Sequence, residues 1–106
     1  NDPRGQWTLK NHQNAQSEFS ITTIRNNKPK HYIIDRTFID ENNQRWIIDY
    51  KTTNYDECDI ETFLNQKKKE HQQQLQNYGT ALAKIFPEKI CFGLYFPMIP
   101  AWISWE

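Results

Sequence analysis

The stretch HYIIDRTFIDENNQRWIIDYK, residues 31–51, decides the fold. Its two halves, His31 to Ile39 and Arg45 to Lys51, are rich in β-branched and aromatic residues, which suit a pleated, half-buried surface. Between them Asp40-Glu41-Asn42-Asn43-Gln44 is polar and Asn-rich, as a hairpin loop should be. If Asp40 faces Gln44 across a three-residue loop, Asp35 falls opposite Asp49, and opposed residues share a face. Asn43 is then the residue for the left-handed position that such a loop needs. A loop one residue shorter or longer would send the two aspartates to opposite faces. Lys51, two residues past Asp49, projects with it, and Tyr50 points away.

Outward from this hairpin the signals are plain. Phe19, Ile21 and Thr23 alternate with Glu18, Ser20 and Thr22, a strand pattern, and Asn26-Asn27-Lys28-Pro29 is a turn. Residues 1–14 are polar, carry Pro3 and Gly5, and read as an irregular lead-in anchored by Trp7 and Leu9. Thr52 to Asp59 reads as a loop. From Ile60 to about Ile85 the apolar residues Leu75, Tyr78, Leu82 and Ile85 recur at helical spacing, with Asp59 as N-cap, Glu61 in the first turn and Pro87 as the stop. Ile90 to Phe96 is a further strand, closed by Pro97 and Pro100. The order β-β-β-α-β predicts one domain over residues 1–106, with a mixed sheet and a helix packed across it, in the α/β (α+β) class.

Lys+Arg and Asp+Glu are both 13, so the chain is neutral overall, and any nucleic-acid binding has to come from local charge placement. No apolar run approaches the ~18 residues of a membrane span. Cys58 and Cys91 lack zinc-site spacing and read as free thiols in a reducing cytoplasm. The chain starts at Asn1 and reads as an excised fragment. It contains no G-x-x-x-x-G-K-[ST] sequence, so an ATPase function would lie outside these residues.

The chemistry sits where charge interrupts the strands. Asp35 and Asp49 both break runs that otherwise belong in a buried sheet, and a buried carboxylate needs a compensating partner or metal. Two carboxylates held together repel, and one takes up a proton unless a cation sits between them. Mg²⁺, with Mn²⁺ as a substitute, prefers oxygen and is held by one or two carboxylates plus substrate phosphate. It activates water and offsets charge on a phosphodiester in hydrolysis. Lys51 adds a cation that can stabilise developing negative charge.

With Asp35, then Asp49-Tyr50-Lys51 on the next strand, then Gln74-Leu75-Gln76-Asn77-Tyr78, the chain resembles the PD-(D/E)xK nucleases of the RecB-like branch. Such domains are found at the C-terminus of bacterial UvrD/RecB/AddA-type superfamily 1 helicases. The resemblance spans roughly Ser17 to Trp105. It implies a restriction-endonuclease-like core with its first core helix truncated. It also implies an exonuclease activity on DNA, in repair or recombination, beside the helicase and ATPase domains of a parent chain. By it, Asp35, Asp49 and Glu18 are metal ligands, the Tyr50 carbonyl is a further one, and Lys51 is the catalytic lysine. Gln74 and Tyr78, one helical turn apart, position DNA or the lysine, and Arg36 and Lys67 to Lys69 approach phosphates.

The alternative is a catalytically inactive nuclease fold that binds DNA or docks to a helicase core. His12, His31 and His71 have no metal-ligand spacing and read as surface residues. Trp102 and Trp105 read as packing residues or an interface.

Overall fold

A computed structural model of the chain describes residues 2–52 and 59–106. The elements are α1 (Pro3–Leu9), β1 (Gln13–Arg25), β2 (Lys28–Ile39), β3 (Gln44–Tyr50), α2 (Ile60–Ala83), β4 (Lys89–Phe96) and β5 (Ala101–Trp105). The strands form one mixed sheet in chain order, β1-β2-β3-β4-β5. All neighbours are antiparallel except β3 and β4, which are parallel and joined through α2. A parallel pair needs such a crossover, because a short turn cannot return the chain to the same end of the sheet.

The β2–β3 loop is the expected one. Asp40 N donates to Gln44 O (2.9 Å), Asn43 N donates to Asp40 O (3.1 Å), and Asn43 has φ 60°. Pairing runs from Ile39↔Arg45 to Arg36↔Ile48. The β1–β2 turn places Asn26 and Asn27 at φ 53° and 63°. Two consecutive left-handed residues match the twist of a tight hairpin, and Asn tolerates them.

Two expectations are corrected. The lead-in is not irregular: Pro3–Leu9 is helical. Asp2 caps it by accepting from Gly5 N (3.2 Å), and Pro3 takes the first turn, where it has no N–H to leave unpaired. The strand order also gains a fifth member. Ala101–Trp105 follows the two prolines and pairs with β4 from Phe96↔Ala101 to Phe92↔Trp105. Part of the predicted loop, residues 53–58 with Cys58, lies outside the described residues.

The two sheet faces differ in kind. One packs Ile34, Ile47, Phe92, Leu94 and Phe96 against Phe63, Leu75, Tyr78 and Leu82 of α2. The helix lies close here: a Cβ on Gly79 would sit 2.8 Å from the Phe92 ring. The other face is aromatic and carries α1. Trp7 meets Phe38, Trp46 and Trp102 edge-on at centroid distances of 5.2, 5.3 and 6.0 Å, and His12 stacks on Phe38 at 3.9 Å. Offset and edge-to-face arrangements of this kind suit the ring quadrupoles. Cys91 is a buried free thiol in β4. Among the described residues no helix is long and apolar enough to cross a membrane.

Arg45 ties the start of β3 to the segment between α2 and β4. It is 1% exposed, donates from Nε to Glu88 Oε1 (3.0 Å), and lies 3.6 Å from the Phe86 ring centroid. Removing one partner of such a pair strands the other and leaves a void. Arg45→Ala is therefore expected to destabilise the fold by about 3 kcal/mol, read as a lower urea midpoint; an unchanged midpoint would show that the guanidinium is not a structural anchor.

Candidate functional site

The site forms where β2 and β3 part. In an antiparallel pair the positions that exchange backbone hydrogen bonds alternate. With Asp40 and Gln44 as one such pair, the series runs on to 36/48 and then 34/50. At the last step the pattern changes: Tyr50 N donates to the Asp35 carboxylate Oδ2 (2.9 Å). The Asp35 side chain thus takes the place of a strand carbonyl at the edge of the ladder.

A reversal in β1 and β2 accompanies this. Ile34 packs in the core on the α2 side, yet Arg36, two residues on, reaches the opposite face. In β1, Phe19 packs toward α2 while Ser17 meets Arg36, with Glu18 between them at φ 51°. Residues two apart in a regular strand share a face, so both strands turn over at Glu18 and Asp35.

Asp49 is one step from the end of β3 and is 9% exposed. Lys51 Nζ lies 2.8 Å from its Oδ2 as an ion pair. Asp35 is within hydrogen-bonding reach of Asp49. Burial, and then the Asp35 carboxyl, push the Asp49 pKa up to about 6, against the pull of Lys51.

From α2, Tyr78 faces this pair. Gln74 Nε2 donates to its hydroxyl (2.8 Å), and its ring lies 5.2 Å from that of Tyr32. Its pKa is raised by burial and next by the charge on Asp49. His71, expected at the surface, is half-buried; burial and the nearby Lys51 charge lower its pKa. The sequence signal for His71 was its spacing, three residues before Gln74 and seven before Tyr78, which places all three on one helix face.

The structure thus brings together Asp35, Asp49, Lys51, Gln74 and Tyr78, with Tyr50 joining through its backbone N–H. It does not bring Arg36 there. That side chain binds Thr8 O, Lys10 O and Ser17 Oγ (3.0, 2.9 and 3.0 Å) on the α1 face, where it satisfies carbonyls at the end of that helix. Glu18 is exposed and forms no ion pair among the described residues. Lys67 pairs with Glu70 (3.4 Å), and Lys68 sits over Trp105 at 5.4 Å. Trp102 packs among Trp7 and Trp46, so both C-terminal tryptophans belong to the folded sheet.

Among the described residues no three His, Cys, Asp or Glu side chains converge as a metal-ligand set. Two neighbouring carboxylates suit an ion that keeps its own waters, as Mg²⁺ does. No protein-family model matches the chain, and no curated protein matches it at a significant level. The case for a function therefore stands on these residues.

The raised pKa of Asp49 has a sign that can be tested. The unfolded carboxyl ionises near the ordinary value of 3.8, while the folded one holds its proton to about 6. Between these values the native state binds more protons, so this residue's contribution to stability falls as pH rises through the window. In EDTA, Asp49→Asn is expected to be more stable than the natural chain above pH ~6, by on the order of 2 kcal/mol, with the gap closing below pH ~4. Melting temperatures across this range test it, and a gap independent of pH would contradict the buried carboxylate pair.

Proposed function

We propose that this chain is a metal-dependent deoxyribonuclease module that hydrolyses phosphodiester bonds, in the manner of the RecB-like PD-(D/E)xK nucleases it resembles. The observation that carries this reading is the buried Asp49 carboxylate, held against Asp35, with Lys51 Nζ at 2.8 Å. A structural salt bridge would need only one acid. The second carboxylate leaves negative charge in excess at a buried edge, which is unfavourable unless a cation is taken up.

Asp35, Asp49 and the Tyr50 carbonyl are the residues that would hold Mg²⁺ or Mn²⁺. Such an ion supplies an activated water and offsets charge on the phosphate. Lys51 places an ammonium beside the reacting phosphate, where a positioned cation is worth most in a water-poor site. The Gln74–Tyr78 pair presents an amide and a phenol from α2 toward the same space and orients the substrate strand. A core restriction-endonuclease-like in kind, a mixed sheet crossed by α2, accords with this reading. So does a place beside a helicase or ATPase motor in cytoplasmic DNA repair or recombination, with cutting from strand ends.

One observation favours a second reading, a nuclease fold that binds DNA without cutting: Glu18 stays exposed, so the acidic set has two members rather than three. Titration calorimetry with Mn²⁺ and cleavage of end-labelled DNA separate the two. Lys51→Ala is expected to lower cleavage by about 10²-fold or more while metal binding persists, whereas Asp49→Ala abolishes the binding heat. Metal uptake without cleavage of single- or double-stranded ends would establish the second reading. No heat with Mn²⁺ would remove metal dependence altogether.

A further inference from the structure

The β1–β2 hairpin runs past the rest of the sheet. Among the described residues, β2 pairs with β3 over Arg36–Ile39, and from Lys28 to Asp35 its strand partner is β1. Residues 19–34 contain no Asp or Glu but carry Arg25, Lys28, Lys30 and His31, in a chain whose charges balance. The register sorts them. Ile21↔Tyr32 packs toward α2, so Thr23↔Lys30 and Arg25↔Lys28, each two residues further on, lie on that same face. His31, paired with Thr22, lies on the other.

Arg25, Lys28 and Lys30 are exposed, and none has an acidic partner among the described residues. At the foot of this row, Lys84 from the end of α2 donates to Thr23 Oγ1 (3.0 Å). A cavity of about 180 Å³ opens there, lined by Arg25, Tyr32, Asn77 and Lys84 among others. Tyr32 continues the row to Tyr78, and so to the carboxylate site.

We propose that this arm is a phosphate track: Arg25, Lys28, Lys30 and Lys84 hold the sugar–phosphate backbone of the nucleic acid strand that reaches the Asp35–Asp49 site. The inference rests on the phosphodiesterase reading for its partner. Charge complementarity selects that partner, because four cations grouped at two successive levels of one face, with no acidic partner among the described residues, match a polyanion. Lys28 is seven residues from Asp35, roughly 23 Å at strand rise. With a phosphate every ~3.4 Å of axis in one strand of a duplex, the arm covers roughly seven nucleotides beyond the site.

The test is binding of a labelled oligodeoxythymidylate to the full chain in EDTA, followed by fluorescence anisotropy over a salt series. The combined variant Arg25→Gln, Lys28→Gln, Lys30→Gln is expected to lower the slope of log K against log salt by roughly 2, at ~0.7 per lost phosphate contact. Amine acetylation of the natural chain, which needs no folded variant, is read in parallel. The oligonucleotide is expected to protect Lys28 and Lys30. An unchanged slope in a folded variant, or equal acetylation with and without DNA, overturns the proposal. Binding to phosphatidylserine vesicles through these residues, with none to the oligonucleotide, also overturns it. A chain that binds through the arm yet cuts nothing in Mn²⁺ removes the nuclease reading and keeps the track. Cutting with an unchanged salt slope does the reverse.

Discussion

Asp40 closes the β2–β3 loop with both carboxylate oxygens, and the facing of Asp35 and Asp49 follows from that closure. Oδ1 accepts from Asn42 N and Gln44 N (both 2.9 Å), and Oδ2 accepts from Trp46 Nε1 (2.8 Å). Burial alone would raise the Asp40 pKa; the donors from Gln44, Trp46 and Asn42 outweigh it and hold the group below its ordinary range. The aspartate therefore stays ionised and bonded at neutral pH, and it sets the loop length. A slip of one residue would turn Ile47 out of the core and Asp49 away from Asp35. Ile47 and Ile48 are both fully buried, on opposite faces, so the apolar residues at the middle of β3 do not by themselves choose between registers, and the loop does.

The site itself runs against the stability of the sheet around it. Asp49 occupies a position where Leu94 is its neighbour across the parallel pair, in a core of aliphatic and aromatic side chains. Lys51 relieves part of the charge, but the Asp35 carboxyl beside Asp49 adds to it. Sites that carry out chemistry are where such local conflicts are found, because the unfavourable charge supplies affinity for what binds there. Asp40 and Asp49 make the contrast clear. Both are buried acids of the same hairpin, but Asp40 has both oxygens satisfied by donors, while Asp49 faces a second acid.

The opposite face explains how a domain of this size supports that conflict. Trp7, Phe38, Trp46, Tyr95 and Trp102 close over the sheet beneath α1, and a Cβ on Gly93 would collide with the Trp102 ring. Arg36 and Tyr50 contribute here and not at the site: Arg36 binds carbonyls of Thr8 and Lys10, and the Tyr50 hydroxyl donates to Thr8 Oγ1 (3.1 Å). α1 is thereby fastened to the two strands that carry Asp35 and Asp49. The strands that carry the carboxylate pair on one face are held by polar and aromatic contacts on the other.

Local chemistry sufficed to read the hairpin from the residues alone: the Asn-rich loop, the Asn43 conformation, the register that sets Asp35 near Asp49, and a helix capped by Asp59. Each depends on near neighbours, where turn geometry and side-chain period act directly. What lay beyond reach involved distant partners. The Ala101–Trp105 strand is short and follows two prolines, and only pairing with β4 makes it a strand. Arg36 beside a candidate ligand looked like a substrate contact until the reversal at Asp35 sent it to α1. His71 gained a place near Lys51 only through the crossing of α2 over β3. Face and neighbourhood past such a reversal are decided by packing across the whole sheet, since one irregular residue inverts the alternation on which a strand is read.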